Sequence, residues 1–178
     1  MRRAVAVVIV VAALAALFAF GLKPRDDRDV ASVRLGKPMP DFEAPVLPRY
    51  VAEYGESLRL SDYLDRGRPV LVNVWASWCG ACVAEAPRLE ATWERYQGRL
   101  MMIGIDFQDR PVNGEAFVER FDHGFPSVSD PRGRIGIDWG VFGVPETYFL
   151  RADGTLLHKH YGEISGAVLE QYIGELLQ

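Results

Sequence analysis

The feature that most constrains this chain is a pair of cysteines, Cys79 and Cys82, which directly follows the apolar run Val70–Trp75. A run of this kind is typical of a strand buried at the centre of a sheet. The two cysteines are the only ones among 178 residues. A disulfide between them would close a very short loop and would remove little entropy from the unfolded chain. The pair is therefore predicted to serve redox chemistry rather than to staple the fold.

The position of the pair predicts different roles for its two members. If the strand turns directly into a helix, Cys79 lies at the helix N-terminus, where unpaired N–H groups and the helix dipole favour an anion. The thiolate is the nucleophilic form of cysteine. Cys82 lies one turn further into the helix. We expect Cys79 to attack a substrate disulfide and Cys82 to resolve the resulting mixed disulfide.

Other uses of the cysteines are a metal site, a haem attachment site or inert core thiols. Zinc usually requires further ligands at characteristic spacing, and His123, His158 and His160 show no such spacing. Val83 stands where a c-type haem attachment motif requires histidine, which excludes that motif. We therefore predict no metal and no cofactor. The net charge of −4 gives no electrostatic case for nucleic-acid binding.

The rest of the chain alternates between strand and helix patterns before it ends in a hairpin. Further strands are predicted at 100–106, 147–150 and 156–161, with Asp153-Gly154 in the hairpin turn. Helices are predicted at 79–97, at 113–123 with Asn113 as its cap, at 131–139, and from Ser165 to about 177. The expected fold class is α/β, with a mixed central sheet covered by helices on both faces.

The N-terminal residues predict a membrane segment. Ala4–Leu22 is an unbroken run of apolar residues and glycine, and as a helix it would span about 28 Å, close to the thickness of a bilayer core. Residues 1–22 are therefore an N-terminal membrane anchor or, with Ala19-Phe20-Gly21 as a cleavage site, a signal peptide. Residues 23–35 are a linker, and 36–178 form one domain. Both interpretations place that domain across the membrane.

Two segments resemble thioredoxin. The stretch 72–82, which ends in Trp78-Cys79-Gly80-Ala81-Cys82, resembles its active-site segment, and Gly143-Val144-Pro145 resembles the loop that carries its cis-proline. The pattern Trp78-Cys79-x-x-Cys82-x-x-Glu85 and the run 138–147 are more specific. They are similar to the thioredoxin-like reductases of cytochrome c maturation (the CcmG/DsbE family). The resemblance covers roughly residues 35–178.

This resemblance implies a thioredoxin fold with an inserted segment around 107–129. It implies a single-pass protein of the bacterial cytoplasmic membrane, with its catalytic domain on the periplasmic side. Electrons would come from a membrane thiol donor, and the substrates would be disulfides of apocytochrome c or of haem-attachment partners. The alternatives are a related exported oxidoreductase, reductase or oxidase, with other envelope clients, and a non-catalytic module that holds an apoprotein.

The resemblance also implies which acid assists the cysteines. Thioredoxin has a buried acid six residues before its first cysteine, and this chain has Asn73 there. Asn73 cannot accept a proton, so another group must activate Cys82. Glu85, three residues beyond Cys82 and on the same helical face, resembles the acid of the family. The alternative is that Glu85 has no role in the reaction and is a solvated charge on the helix surface.

Four further residues are candidates for the site: Pro145 as a catalytic residue, and three others on the substrate side. A cis-proline at Pro145 would leave the backbone of Val144 free to pair with a substrate strand. Trp78 is expected either beside the cysteines or in the core. Glu146 is expected either to contact substrate and add negative charge near the thiols, or to be an ordinary surface residue of an edge strand.

Overall fold

The computed structural model describes residues 34–64 and 66–178. The predicted membrane segment and nearly all of the predicted linker therefore lie outside the described residues. Within the described part of the chain, no helix has the length and apolar character needed to cross a membrane.

The described elements follow the order expected for an α/β domain. A small antiparallel pair, β1 (Glu43–Pro45) and β2 (Ser57–Arg59), encloses a 3₁₀ turn at Pro48–Tyr50 and the short helix α1 (Val51–Tyr54). The main elements are α2 (Ser61–Leu64), β3 (Val70–Trp75), α3 (Gly80–Tyr96), β4 (Met101–Phe107), α4 (Pro111–Arg120), β5 (Ser127–Asp130), α5 (Arg134–Trp139), β6 (Glu146–Leu150), β7 (Leu156–Tyr161) and α6 (Gly166–Leu176).

The main sheet has five strands in the order β5-β4-β3-β6-β7. Strands β3, β4 and β5 are parallel, whereas β6 runs antiparallel to both β3 and β7. Every residue of β3 is buried, as its almost continuously apolar pattern predicts. The predicted mixed sheet is thus confirmed, and its central strand ends immediately before the cysteine pair.

Helices cover both faces of this sheet, because side chains alternate along each strand. On one face, Leu71, Met102 and Phe149 pack against Leu89 of α3 and Ile173 of α6. The opposite face carries the valines of β3 and packs against α5 and against the residues around β1. The contacts include Val72, Ile103, Tyr148, Trp139 and Phe42. The cysteines therefore begin a helix that is fixed against the sheet.

Two predicted helix starts are wrong. Helix α4 begins at Pro111 rather than at Asn113, because proline is favoured in the first helical turn, where its missing N–H costs nothing. The side-chain amide of Asn113 donates instead to Asp109. Helix α5 begins at Arg134 rather than at residue 131, because the left-handed Gly133 ends a turn and the carboxylate of Asp130 accepts the N–H groups of Arg134 and Gly136.

The segment around 107–129, predicted as an insertion, forms α4 and the edge strand β5. The outer side of β5 is covered: the N–H of Leu47 donates to the carbonyl of Ser127 at 2.8 Å, and Val46 bridges to Val128. The segment is thus an integral part of the sheet and its cover.

Candidate active site

The two cysteines are joined by a disulfide at the junction between β3 and α3, with their Cα atoms 5.2 Å apart. Cys79 is the N-cap of α3, has an extended backbone, and accepts the N–H of Cys82 on its sulfur at 3.0 Å. Only 6% of Cys79 is exposed, and Cys82 is more deeply buried at 1%. The sulfur that is nearer to solvent and to the helix N-terminus is therefore that of Cys79.

The loop that leads into the cysteines is anchored from the connection between β4 and α4. The carboxylate of Asp109 accepts the N–H of Ser77 at 2.7 Å and that of Arg110 at 2.7 Å. Burial acts to raise the pKa of Asp109, but these hydrogen bonds outweigh it and lower the pKa below its ordinary value.

Trp78 is 62% exposed, which excludes the core role considered for it. Its indole thus lies at the surface beside Cys79.

Beneath the disulfide lies a buried polar network. Glu85 is 1% exposed, so the alternative of a solvated helix charge is wrong. One carboxylate oxygen accepts the side-chain amide of Asn73 at 2.9 Å, and the other accepts the N–H of Ile164 at 3.0 Å. Asn73 also donates to the hydroxyl of Thr147 at 3.2 Å. Asn73 therefore links the buried carboxylate of Glu85 to Thr147 of β6.

This environment makes Glu85 suitable for proton transfer. Burial raises its pKa from 4.5 to about 7, although the hydrogen bonds from Ile164 and Asn73 oppose the shift. A base works best when its pKa lies near the operating pH. Because Glu85 lies one helical turn beyond Cys82 on the same face, it is placed to serve that thiol.

We expect Glu85→Gln to slow the resolving step, in which Cys82 must lose a proton, by roughly 10²-fold at neutral pH. The inflection near pH 7 in the rate of that step should disappear, because the side chain no longer titrates. Stopped-flow measurement of mixed-disulfide resolution between pH 5 and 9 would show both effects. The matched control is Glu94→Gln, the same change at an exposed position of α3. A Glu85→Gln profile that overlays the parent profile would contradict this role.

The loop before β6 brings the candidate substrate residues to the same end of the sheet. Strand β6 pairs with β3 so that Glu146 is opposite Val74, which places Pro145 beside the end of β3 that leads to Cys79. The Val144–Pro145 peptide bond is cis, as the resemblance implied. Within the described residues, neither the N–H nor the C=O of Val144 has a hydrogen-bond partner, and the residue is half-buried.

Glu146 differs from both expectations. It lies in β6, an inner strand of the sheet rather than an edge strand, and is 1% exposed. One carboxylate oxygen accepts the N–H groups of Phe142 and Gly143, at 2.8 and 3.3 Å. The other accepts the hydroxyl of Tyr148 and lies 2.9 Å from the ammonium nitrogen of Lys159. The prediction of Glu146 as a substrate contact is thus at odds with its burial, and its charge is compensated.

Two residues in this region were missed by sequence reasoning, Lys159 and Asp106. Lys159 stands in an alternating strand where a surface lysine is the ordinary interpretation, and only its partner Glu146 distinguishes it. Asp106 ends the apolar run of β4 and is fully buried beside Trp75, its neighbour in the sheet. A single acid at the end of a buried strand was the signal that could have identified Asp106.

The histidines lie elsewhere. His123 is buried and stacks on Phe125, His158 contacts the carboxylate of Glu175 at 2.7 Å, and the ring of His160 is 3.3 Å from a backbone carbonyl. Among residues 34–64 and 66–178, no group of three or more potential ligands could hold a metal ion.

The sequence of this chain is similar to those of known thiol:disulfide interchange proteins, which agrees with a cysteine pair at a strand–helix junction. The model of the AhpC/TSA family matches residues 35–159. The thiol:disulfide interchange protein DsbE of Allochromatium vinosum is 35% identical, over 90% of this chain and 84% of its own length. The protein of the same name from Escherichia coli K12 is 31% identical, over 85% and 78%.

A solved structure gives the same result for the fold. A crystal structure described as a thiol:disulfide interchange protein DsbE from Chlorobium tepidum matches with a TM-score of 0.72 at 25% identity. The match covers 83% of this chain and all of that one. The chain therefore belongs to the thioredoxin-like AhpC/TSA family and, within it, to the DsbE thiol:disulfide interchange proteins, and it is a thiol–disulfide oxidoreductase.

Proposed function

We propose that this protein is a reductase that acts on disulfides of apocytochrome c, or of the thiol proteins that assist haem attachment. Its relatives carry the name of thiol:disulfide interchange proteins, which supports the reaction class. The observation that carries the proposal is the buried acid Glu85. It lies on the same face of α3 as Cys82, and two N–H donors hold its carboxylate.

In the proposed reaction, the thiolate of Cys79 attacks one sulfur of the client disulfide and forms a mixed disulfide, while the other client sulfur leaves and takes up a proton. Glu85 then accepts the proton of Cys82. The thiolate of Cys82 attacks the sulfur of Cys79, and the second client sulfur leaves and takes up the proton that Glu85 accepted, so that Glu85 is again ionised. The client gains two electrons and two protons, and the protein ends with the Cys79–Cys82 disulfide seen here.

The client would bind as an extended segment beside Val144. The backbone N–H and C=O of Val144 have no partner within the described residues. They are therefore available to hydrogen-bond with a client backbone that adds as a strand. Trp78, exposed beside Cys79, would cover the other side of the client.

The proposed location is the periplasmic side of the bacterial cytoplasmic membrane, with Ala4–Leu22 as the anchor or signal. This location is supported by the apolar length of that segment. In an oxidising compartment the reduced pair must be regenerated continually. A membrane thiol donor, next to which the anchor would hold the domain, is the proposed source of electrons.

The test is the redox potential together with the state of the cysteines in cells. Glu146 is compensated by Lys159, so the negative charge that opposes a second anion at the thiols comes from Glu85 and from Asp109, which accepts the N–H of Ser77. We expect equilibration with glutathione to give a potential nearer to about −270 mV than to about −120 mV. We also expect a reduced fraction in cells that disappears when the membrane donor is deleted. A potential near that of the strong oxidants, with the pair always oxidised, would instead indicate an oxidase with other envelope clients.

A further inference from the structure

Lys159, in β7, is a buried positive charge. Its side chain is only 2% exposed, and a buried ammonium group is costly unless it is paired. Its nitrogen lies 2.9 Å from a carboxylate oxygen of Glu146 and donates to the carbonyl of Gly140 at 3.0 Å. The rings of Tyr161 and Tyr148 lie 4.3 and 4.9 Å from the same nitrogen. These contacts compensate the cation on several sides.

The two polar partners of Lys159 lie at the two ends of the 140–145 loop, which carries the client site. The carbonyl of Gly140 is at the start of the loop. Glu146, the first residue of β6, follows the loop and accepts the N–H groups of Phe142 and Gly143. The loop is thus closed around one buried ion pair, and Val144 lies within the closed segment. Removing the ammonium group would leave the Glu146 carboxylate buried without its counter-charge, which is costly enough to displace the carboxylate and the loop that it holds.

We propose that Lys159 is a positioning residue for client binding: through Glu146 and the Gly140 carbonyl it holds the 140–145 loop in the shape that presents the Val144 backbone to a client strand. It does not touch the reacting sulfurs. The proposal rests on the proposed function, because it specifies how the same site recognises its client.

The test separates a client that needs the loop from one that does not. We would compare the parent with Lys159→Met, using a peptide that contains a Cys-x-x-Cys disulfide and a small aromatic disulfide that has no backbone to pair. A displaced binding loop should lower kcat/KM for the peptide by roughly 10²-fold, mainly through KM. The rate with the small disulfide should stay within about twofold of the parent rate, since Cys79, Cys82 and Glu85 are unchanged.

A second variant keeps the test decisive if Lys159→Met does not fold. Glu146→Gln with Lys159→Met removes both charges of the pair, and a neutral pair in a core is tolerated far better than a lone charge. Because neither charge remains, we expect this double variant to fold. It still lacks the ammonium donor to the Gly140 carbonyl, so we expect a lowered kcat/KM for the peptide and a normal rate for the small disulfide. A folded variant with parent-like peptide kcat/KM, or one that loses both activities equally, would overturn the proposal.

Hydrogen exchange gives a readout that does not depend on the client. The amides of Phe142 and Gly143 should be protected in the parent and should exchange faster in both variants, while amides of β3 keep their protection. If the parent fails to reduce the peptide at all, the proposed function fails while this measurement still tests the loop. Unchanged protection of Phe142 and Gly143 would overturn the positioning role by itself.

Discussion

Cys79→Ser should abolish disulfide reduction completely, whereas Cys82→Ser should leave the attack intact and trap the client. The reason is the unequal placement of the two sulfurs. Cys79 caps α3 beside the exposed Trp78, while Cys82 lies a turn deeper and is almost fully buried. Serine at 79 leaves only a buried thiol that no client sulfur can reach. Serine at 82 leaves no group to break the bond between Cys79 and the client.

The measurement is non-reducing electrophoresis of cell extracts, followed by identification of the trapped proteins. We expect adducts with Cys82→Ser and none with Cys79→Ser, and the double serine variant serves as the matched control for adducts formed without either thiol. Adducts that contain a c-type apocytochrome or a haem-attachment thiol protein would support the proposed clients. Adducts formed by Cys79→Ser instead would reverse the assignment of attacking and resolving thiols.

Asp106→Asn should stabilise the protein strongly at and above neutral pH. Asp106 is fully buried, and within the described residues neither carboxylate oxygen has a hydrogen-bond partner. Burial, together with the negative charges of Asp109 and Asp130, raises its pKa from 3.8 to about 8. Helix α4 closes the site, because a Cβ at Gly114 would lie 2.1 Å from an Asp106 oxygen. The acid is thus held neutral in the folded protein at pH 7.

The sign of the effect follows from proton binding. Between pH about 4 and about 8 the folded protein keeps the proton of Asp106 and the unfolded chain has lost it. The unfolded state therefore binds fewer protons, and stability falls as pH rises, by about 1.4 kcal/mol per pH unit from this group. Above about pH 8 the loss is complete and levels off. Asparagine has nearly the same shape and no proton to lose, so this loss is absent in the variant.

The experiment is urea unfolding of the parent and of Asp106→Asn at pH 4, 6 and 8. We expect similar free energies of unfolding at pH 4 and an advantage for the variant of several kcal/mol at pH 8. Asp138→Asn, the same change at an exposed position of α5, should show no such trend. An Asp106→Asn difference that is constant with pH would mean that Asp106 is ionised in the folded protein.

The sequence by itself determined the redox centre and the class of fold. An apolar run followed at once by Cys79 and Cys82 has few solutions other than a central strand turning into a helix, because both signals are local. The turn at Asp153-Gly154 and the cap at Ser165 were also predictable, since each depends on neighbouring residues only. The starts of α4 and α5 were less predictable, because proline and left-handed glycine competed with the apparent caps.

The tertiary structure alone decided which charges belong to the site. Glu85 and Glu146 are both acids in the same predicted neighbourhood, yet they have different environments. Glu85 meets two N–H donors and has no cation within hydrogen-bond distance among the described residues, so burial leaves its pKa near 7. Glu146 meets Lys159, which is 13 positions further along the chain and reaches it only because β6 and β7 pair. Burial and long-range partners set the free energy of a charge, and neither is encoded in the local pattern of residues.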